Sequence, residues 1–70
     1  MDTELIFDLI KAADGVSAYT LTRAYCARTH DNIDWHKVSN YLDGLYTRGI
    51  LRVVGFDKDG MTIYKLSGIS

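Results

Sequence analysis

The 70-residue sequence contains no proline and a single cysteine, Cys26. One cysteine cannot form a disulfide within the chain, and a small fold without disulfides is typical of a reducing compartment. No apolar run approaches the roughly 20 residues that cross a bilayer, and the acidic N-terminus lacks the basic start of a signal peptide. We therefore expect a cytoplasmic protein with one domain over residues 1–70.

Net charge is also small, at −1. The charges are unevenly distributed, because residues 1–14 carry four acids and one base, whereas residues 15–70 carry seven bases and five acids. This distribution suits a domain whose first helix is turned away from an anion. Strong nucleic-acid binders, however, are usually more basic.

Motifs for catalysis and for cofactors are missing. The sequence has no glycine-rich phosphate loop, and no serine or cysteine stands with histidine and a carboxylate in a nucleophile pattern. The spacing of Cys26, His30 and His36 fits no structural zinc site, which needs four ligands. We therefore predict no enzyme activity, no metal or cofactor and no small-molecule substrate.

Apolar residues at helical spacing predict three helices. The first covers about residues 3–13 and the second about 18–28, with Ser17 as N-cap. In the second helix, we expect Leu21 and Ala24 in the core and Tyr25 at its edge. The third starts near Asp34 and is considered below.

The third helix, about residues 34–48, directs Val38, Leu42 and Leu45 toward one side, and Trp35 is expected to pack near them. Gly49 is expected to end this helix.

Two β-rich segments follow, residues 50–56 and 61–67, separated by Asp-Lys-Asp-Gly at 57–60. Aspartate first and glycine fourth favour a type I turn with a glycine bulge. The predicted fold class is therefore α+β, with three helices followed by a two-stranded antiparallel hairpin. A short third strand near Val16 can add to it.

The residues around the third helix resemble those of winged helix-turn-helix domains in small transcription regulators of the MarR and ArsR type. The pattern consists of Val38, Ser39, Leu42, Leu45, Gly49 and Leu51, with Tyr64, Leu66 and Ser67 in the last strand. The resemblance implies a double-stranded DNA-binding transcriptional regulator, with helix 3 in the major groove and the 50–66 hairpin as the wing. One departure is a longer interval between Leu21 and Val38, which predicts either a longer helix 2 or an extended loop around residues 29–32.

The DNA-binding hypothesis assigns the contacts with nucleobases to the exposed side of the first turns of helix 3. It assigns the phosphate contacts to nearby basic residues. The predicted DNA-binding residues are His36, Lys37, Ser39, Asn40, Arg28, Arg48 and Lys58. Asp43 lies in the centre of the same exposed side, and Asp57 and Asp59 flank Lys58. These three carboxylates disfavour phosphate contact.

The alternative hypothesis is a protein–protein interaction module or homodimer. If Leu51 and Val53 face the core, strand alternation turns an apolar set outward. The predicted protein interface is Val54, Phe56, Met61 and Ile63. A bulge at Gly55 would instead turn some of these side chains inward. Homodimerisation would use the same residues or Phe7 of helix 1.

Overall fold

A computed structural model describes residues 2–68, and over this range the chain has the predicted α+β arrangement of three helices followed by a two-stranded antiparallel hairpin. The elements are α1 (Thr3–Ala12), α2 (Ala18–Thr29), α3 (Trp35–Thr47), β1 (Leu51–Phe56) and β2 (Thr62–Leu66). The N-caps of the helices are Asp2, Ser17 and Asp34, whose side chains accept backbone N–H groups of the first turns. Within the described range, no helix has the length and apolar character needed to cross a bilayer.

The end of α3 is fixed by Gly49, which has a φ of 80°. Its N–H donates to the carbonyl of Tyr46 at 3.0 Å, and the N–H of Ile50 donates to the carbonyl of Leu45 at 3.0 Å. These two bonds form a Schellman motif, in which glycine takes the left-handed position without a Cβ penalty. The chain therefore passes from α3 into β1 almost directly, and the predicted stop at Gly49 is confirmed.

The core lies between the three helices and the base of the hairpin. Its buried side chains are Ile6, Ile10, Val16, Ala18, Leu21, Tyr25, Val38, Leu42, Leu45 and Leu51. The predicted inward side of α3 is confirmed by the burial of Val38, Leu42 and Leu45.

Two predictions for α2 are wrong. Tyr25 lies inside the core rather than at its edge, whereas Ala24 is only partly buried. The Tyr25 hydroxyl accepts the backbone N–H of Asp2 at 2.8 Å. This bond allows the phenol to be buried with its polar end satisfied, and it ties α2 to the start of α1.

The extra length before α3 is present both in α2 and in the loop. α2 continues to Thr29, and residues 30–34 then connect it to α3. His30 starts the connection in a left-handed conformation, with a φ of 59°. Ile33 packs against the core and anchors the connection.

One residue of the segment between α1 and α2 pairs with the edge of the hairpin. Val16 and Tyr64 exchange two backbone hydrogen bonds of 2.8 Å, so the possible third strand is present as a single bridge. The order across the sheet is Val16, β2, β1, and within residues 2–68 nothing pairs with the outer side of β1. The predicted type I turn with a glycine bulge is confirmed by the bond from Gly60 N–H to the Asp57 carbonyl and by the Gly60 φ of 82°.

A β-bulge interrupts β1. Val53 lies opposite Tyr64, but the register then shifts, so that Gly55 lies opposite Ile63. Val54 is therefore the additional residue of the bulge. After Val54, each side chain of β1 therefore lies on the face opposite to the one that simple alternation predicts.

Candidate functional site

The exposed side of α3 carries most of the predicted base-contacting residues. His36, Lys37 and Asn40 are exposed in its first two turns. At about 100° per residue, the helix directs these side chains to solvent while its apolar stripe enters the core. Ser39 differs from them, because it is half-buried and lines a cleft toward the hairpin with Trp35 and residues 60–62.

The ring of His36 is held in place by its neighbours. Nδ1 lies 3.0 Å from Oδ1 of Asp34, which also accepts the backbone N–H of His36 at 3.0 Å. The backbone bond, and then the ring bond, lower the pKa of the Asp34 carboxyl. This contact restrains the ring, and Nε2 has no hydrogen-bond partner among the described residues.

The expectation that Trp35 packs in the core is wrong. Its side chain is 41% exposed, and its ring stacks on that of His36 with centroids 4.1 Å apart and planes at 25°. Trp35 is the first residue of α3 and lies beyond the edge of the core, next to the hairpin turn. The helical spacing of Trp35 therefore assigned this surface aromatic, which adjoins the predicted site, to the wrong environment.

A shallow groove runs along another part of the exposed side of α3. It brings Asn40 and Arg48 together, with Gly44 between them and Tyr41 and Leu45 beneath. A Cβ placed on Gly44 would meet no atom within 4 Å, so the helix backbone is open to an approaching ligand here. The groove therefore combines an amide, a guanidinium and accessible backbone.

The remaining predicted phosphate contacts lie on other segments. Arg28 is exposed in the last turn of α2, and Lys58 is exposed in the hairpin turn. Oδ1 of Asp57 accepts the backbone N–H groups of Asp59 and Met61 at 2.9 Å each, so this oxygen is used within the turn. Asp59 has no such structural bond among the described contacts, and its carboxylate remains beside Lys58.

Asp43 is exposed on α3, as expected. Its charge reaches Tyr64, which packs edge-to-face with Tyr46 at a centroid distance of 6.1 Å. Burial raises the pKa of Tyr64 above its usual 10.0, and Asp43 and Tyr46 raise it further. This part of the surface favours cations over phosphate.

The raised pKa of Tyr64 gives a prediction about alkaline stability. Because the phenolate is disfavoured in the folded state, its neutral form contributes stability that is full below pH 10.0 and is lost as pH rises through the folded pKa. Above pH 10.0, the free energy of unfolding in urea should fall less steeply with pH for Tyr64→Phe than for wild type. The exposed control Tyr19→Phe should show the same decline as wild type. Identical alkaline declines for wild type and Tyr64→Phe would contradict the assignment.

The four residues of the predicted protein interface do not share one face. Val54 and Ile63 lie together beside Gly15. A Cβ added to Gly15 would lie 3.1 Å from Cγ2 of Ile63 and 3.9 Å from Cγ2 of Val54. Phe56 lies opposite Thr62, so the bulge turns it to the other face of the hairpin.

One related expectation about facing is also wrong. Met61 packs against the core instead of facing outward. Val53 shares the face of Tyr64, but its side chain is still 39% exposed, so it does not close the core. Phe56, at 68% exposure, remains the most exposed large apolar side chain of the described residues.

Among residues 2–68, no group of three or more His, Cys, Asp or Glu side chains is placed to hold a metal ion. Comparison of the chain with protein-family models, with curated proteins and with solved structures found no match. The likeness to MarR and ArsR regulators therefore stays a prediction, and function is inferred from the residues of this chain.

Proposed function

We propose that the protein is a cytoplasmic winged-helix transcriptional regulator that binds double-stranded DNA through α3. The observation that carries the proposal is the division of α3 into two sides. Val38, Leu42 and Leu45 are buried, while polar and basic side chains of the first turns are exposed. A helix anchored in this way can present those side chains to a major groove.

The chemistry of these side chains suits base edges and phosphates. Asn40 has the amide that pairs with adenine in two hydrogen bonds, and Lys37 supplies a charge for guanine or phosphate. Arg48 lies in the same groove as Asn40 and is suited to a phosphate contact. The hairpin lies beside the start of α3, and its turn carries the exposed Lys58.

The test is the affinity of single variants for duplex DNA, measured by fluorescence anisotropy over a range of salt concentrations. Lys37→Ala should weaken binding to all sequences and reduce the salt slope by about 1, because one phosphate contact is lost. Asn40→Ala should cost about 1–3 kcal/mol of binding to a preferred site and relax its specificity.

The matched control is Lys11→Ala, which removes an exposed lysine from α1. It should leave both the affinity and the salt slope close to wild type. The DNA proposal is overturned if wild type binds no duplex at low salt, or if Lys37→Ala and Asn40→Ala bind as tightly as Lys11→Ala.

A second candidate function, protein–protein interaction, is favoured by the exposure of Phe56 and Val53, which share one face of the hairpin and are 68% and 39% exposed. Large exposed apolar side chains close together often mark an interface. Phe56→Ser should abolish self-association or partner binding with little loss of stability, because its ring contributes little to the core. Unchanged association of this variant would remove Phe56 from the interface.

A further inference from the structure

The outer edge of β1 has open backbone hydrogen-bonding groups at two defined residues. Tyr64 uses both its N–H and its carbonyl to bond Val16, at 2.8 Å each. Residues of an antiparallel pair alternate between bonded and non-bonded positions, so Val53, opposite Tyr64, must point its N–H and carbonyl away from β2.

The same alternation applies to Phe56. It lies opposite Thr62, which is two residues from Tyr64 and therefore also directs its backbone groups away from β1. The alternation requires the next pair, Asp57 and Met61, to be hydrogen-bonded. The Asp57 N–H does donate to the Met61 carbonyl at 2.9 Å. Val53 and Phe56 thus both present a free N–H and carbonyl at the edge.

The bulge also gives these two residues a common side-chain face. Val53 and Phe56 are opposite Tyr64 and Thr62, which lie two residues apart in β2 and so share a face. Both side chains are substantially exposed, at 39% and 68%. Natural edge strands are usually protected by lysine, proline or inward-pointing charge, but the exposed side chains of β1 are apolar except for Arg52.

We propose that a second copy of this chain pairs with β1 edge to edge, in an antiparallel register that places Val53 opposite Phe56 of the second copy. The two-fold axis passes between Val54 and Gly55. Symmetry repeats the Val53–Phe56 pair, so the register makes four backbone hydrogen bonds and joins two hairpins into one sheet. It also covers the exposed rings of both copies.

This register is supported by charge as well. It places Arg52 opposite Asp57 of the second copy, at a non-bonded position where facing side chains are closest. Arg52 forms no salt bridge within residues 2–68, whereas its cross-strand neighbour Lys65 bonds Asp14 at 2.6 Å. Oδ1 of Asp57 is used in the turn, and Oδ2 is left to accept from arginine.

The inference rests on the second candidate function, which it narrows to a homodimer, and it does not depend on DNA binding. Sedimentation equilibrium over a concentration series should show conversion of the 7.9 kDa monomer to a dimer. Arg52→Glu should weaken the dimer about tenfold, because two cross-strand attractions become repulsions. The control Arg23→Glu makes the same charge change on the exposed side of α2 and should dimerise like wild type.

Amide hydrogen exchange followed by NMR tests the register itself. The Val53 and Phe56 amides should exchange rapidly when the protein is dilute and become protected as the dimer forms. The Arg52 amide, which bonds β2 by the same alternation, should be protected at every concentration.

Three results would overturn the inference. The first is a monomer up to millimolar concentration, in which case the bulge keeps the edge unpaired. The second is a dimer in which the Val53 and Phe56 amides remain unprotected. The third is an Arg52→Glu protein that is folded by circular dichroism and dimerises like wild type. A protein that dimerises as proposed but binds no duplex would contradict only the DNA proposal.

Discussion

Replacement of Leu42 by alanine is expected to remove about half of the stability of the fold. Leu42 is fully buried in the middle of α3, between the other helices and the base of the hairpin. Truncating a buried leucine costs about 2–5 kcal/mol, because apolar contacts are lost and a cavity remains. A domain of this length has a total stability of roughly 4–10 kcal/mol, so the expected loss is about half of the total.

The measurement is urea unfolding followed by circular dichroism. Lys37→Ala is the control on the same helix, because its side chain is exposed and its replacement should change stability by less than about 0.5 kcal/mol. A loss below about 1 kcal/mol for Leu42→Ala would mean that α3 is not anchored as described.

Gly15→Ala is expected to have the second largest effect. Gly15 has a φ of 97°, which costs an alanine about 1–2 kcal/mol. The new Cβ would also lie 3.1 Å from Cγ2 of Ile63, a stiff β-branched side chain in β2. Repacking around this contact should add about 1 kcal/mol or more to the cost.

The matched variant Gly49→Ala separates the two causes. Gly49 has a similar φ of 80°, but a Cβ there would meet no atom within 4 Å. The difference in unfolding free energy between the two variants therefore reports the approach of Ile63 to the α1–α2 segment. Equal losses would show that this approach is looser than described.

Much of the fold could be predicted because its signals are local. Apolar spacing defined the buried side of α3, and Asp34 and Gly49 marked its two ends. The four residues at 57–60 specified their own turn, because an aspartate carboxylate and a glycine conformation are sufficient for it. These features need no knowledge of distant contacts.

The errors concern residues whose positions depend on distant parts of the chain. Tyr25 is buried because a backbone N–H of the N-terminal segment meets its hydroxyl, and no local pattern indicates that partner. Trp35 satisfies the helical spacing of a core residue, but the core does not extend as far as the first residue of α3. The bulge at Val54 depends on register with β2, and it alone moves Phe56 to the other face.

For the candidate site, helical spacing predicted the exposure of His36, Lys37 and Asn40, which the structure confirms. It did not predict that Ser39 turns to the hairpin or that Trp35 stacks on His36. Both depend on how closely the hairpin approaches the start of α3, which is set by the packing of β1 and β2 on the core. The DNA-binding role of these residues remains the proposal to be tested.

The most direct test is an amide chemical-shift titration of the labelled protein with a mixed-sequence DNA duplex at low salt. DNA binding by α3 predicts shifts concentrated at residues 34–48 and 57–60, and these shifts should fade as salt rises, because phosphate contacts are screened. Unchanged shifts in both ranges, with concentration-dependent changes confined to β1, would contradict DNA binding and make the edge of β1 the functional surface.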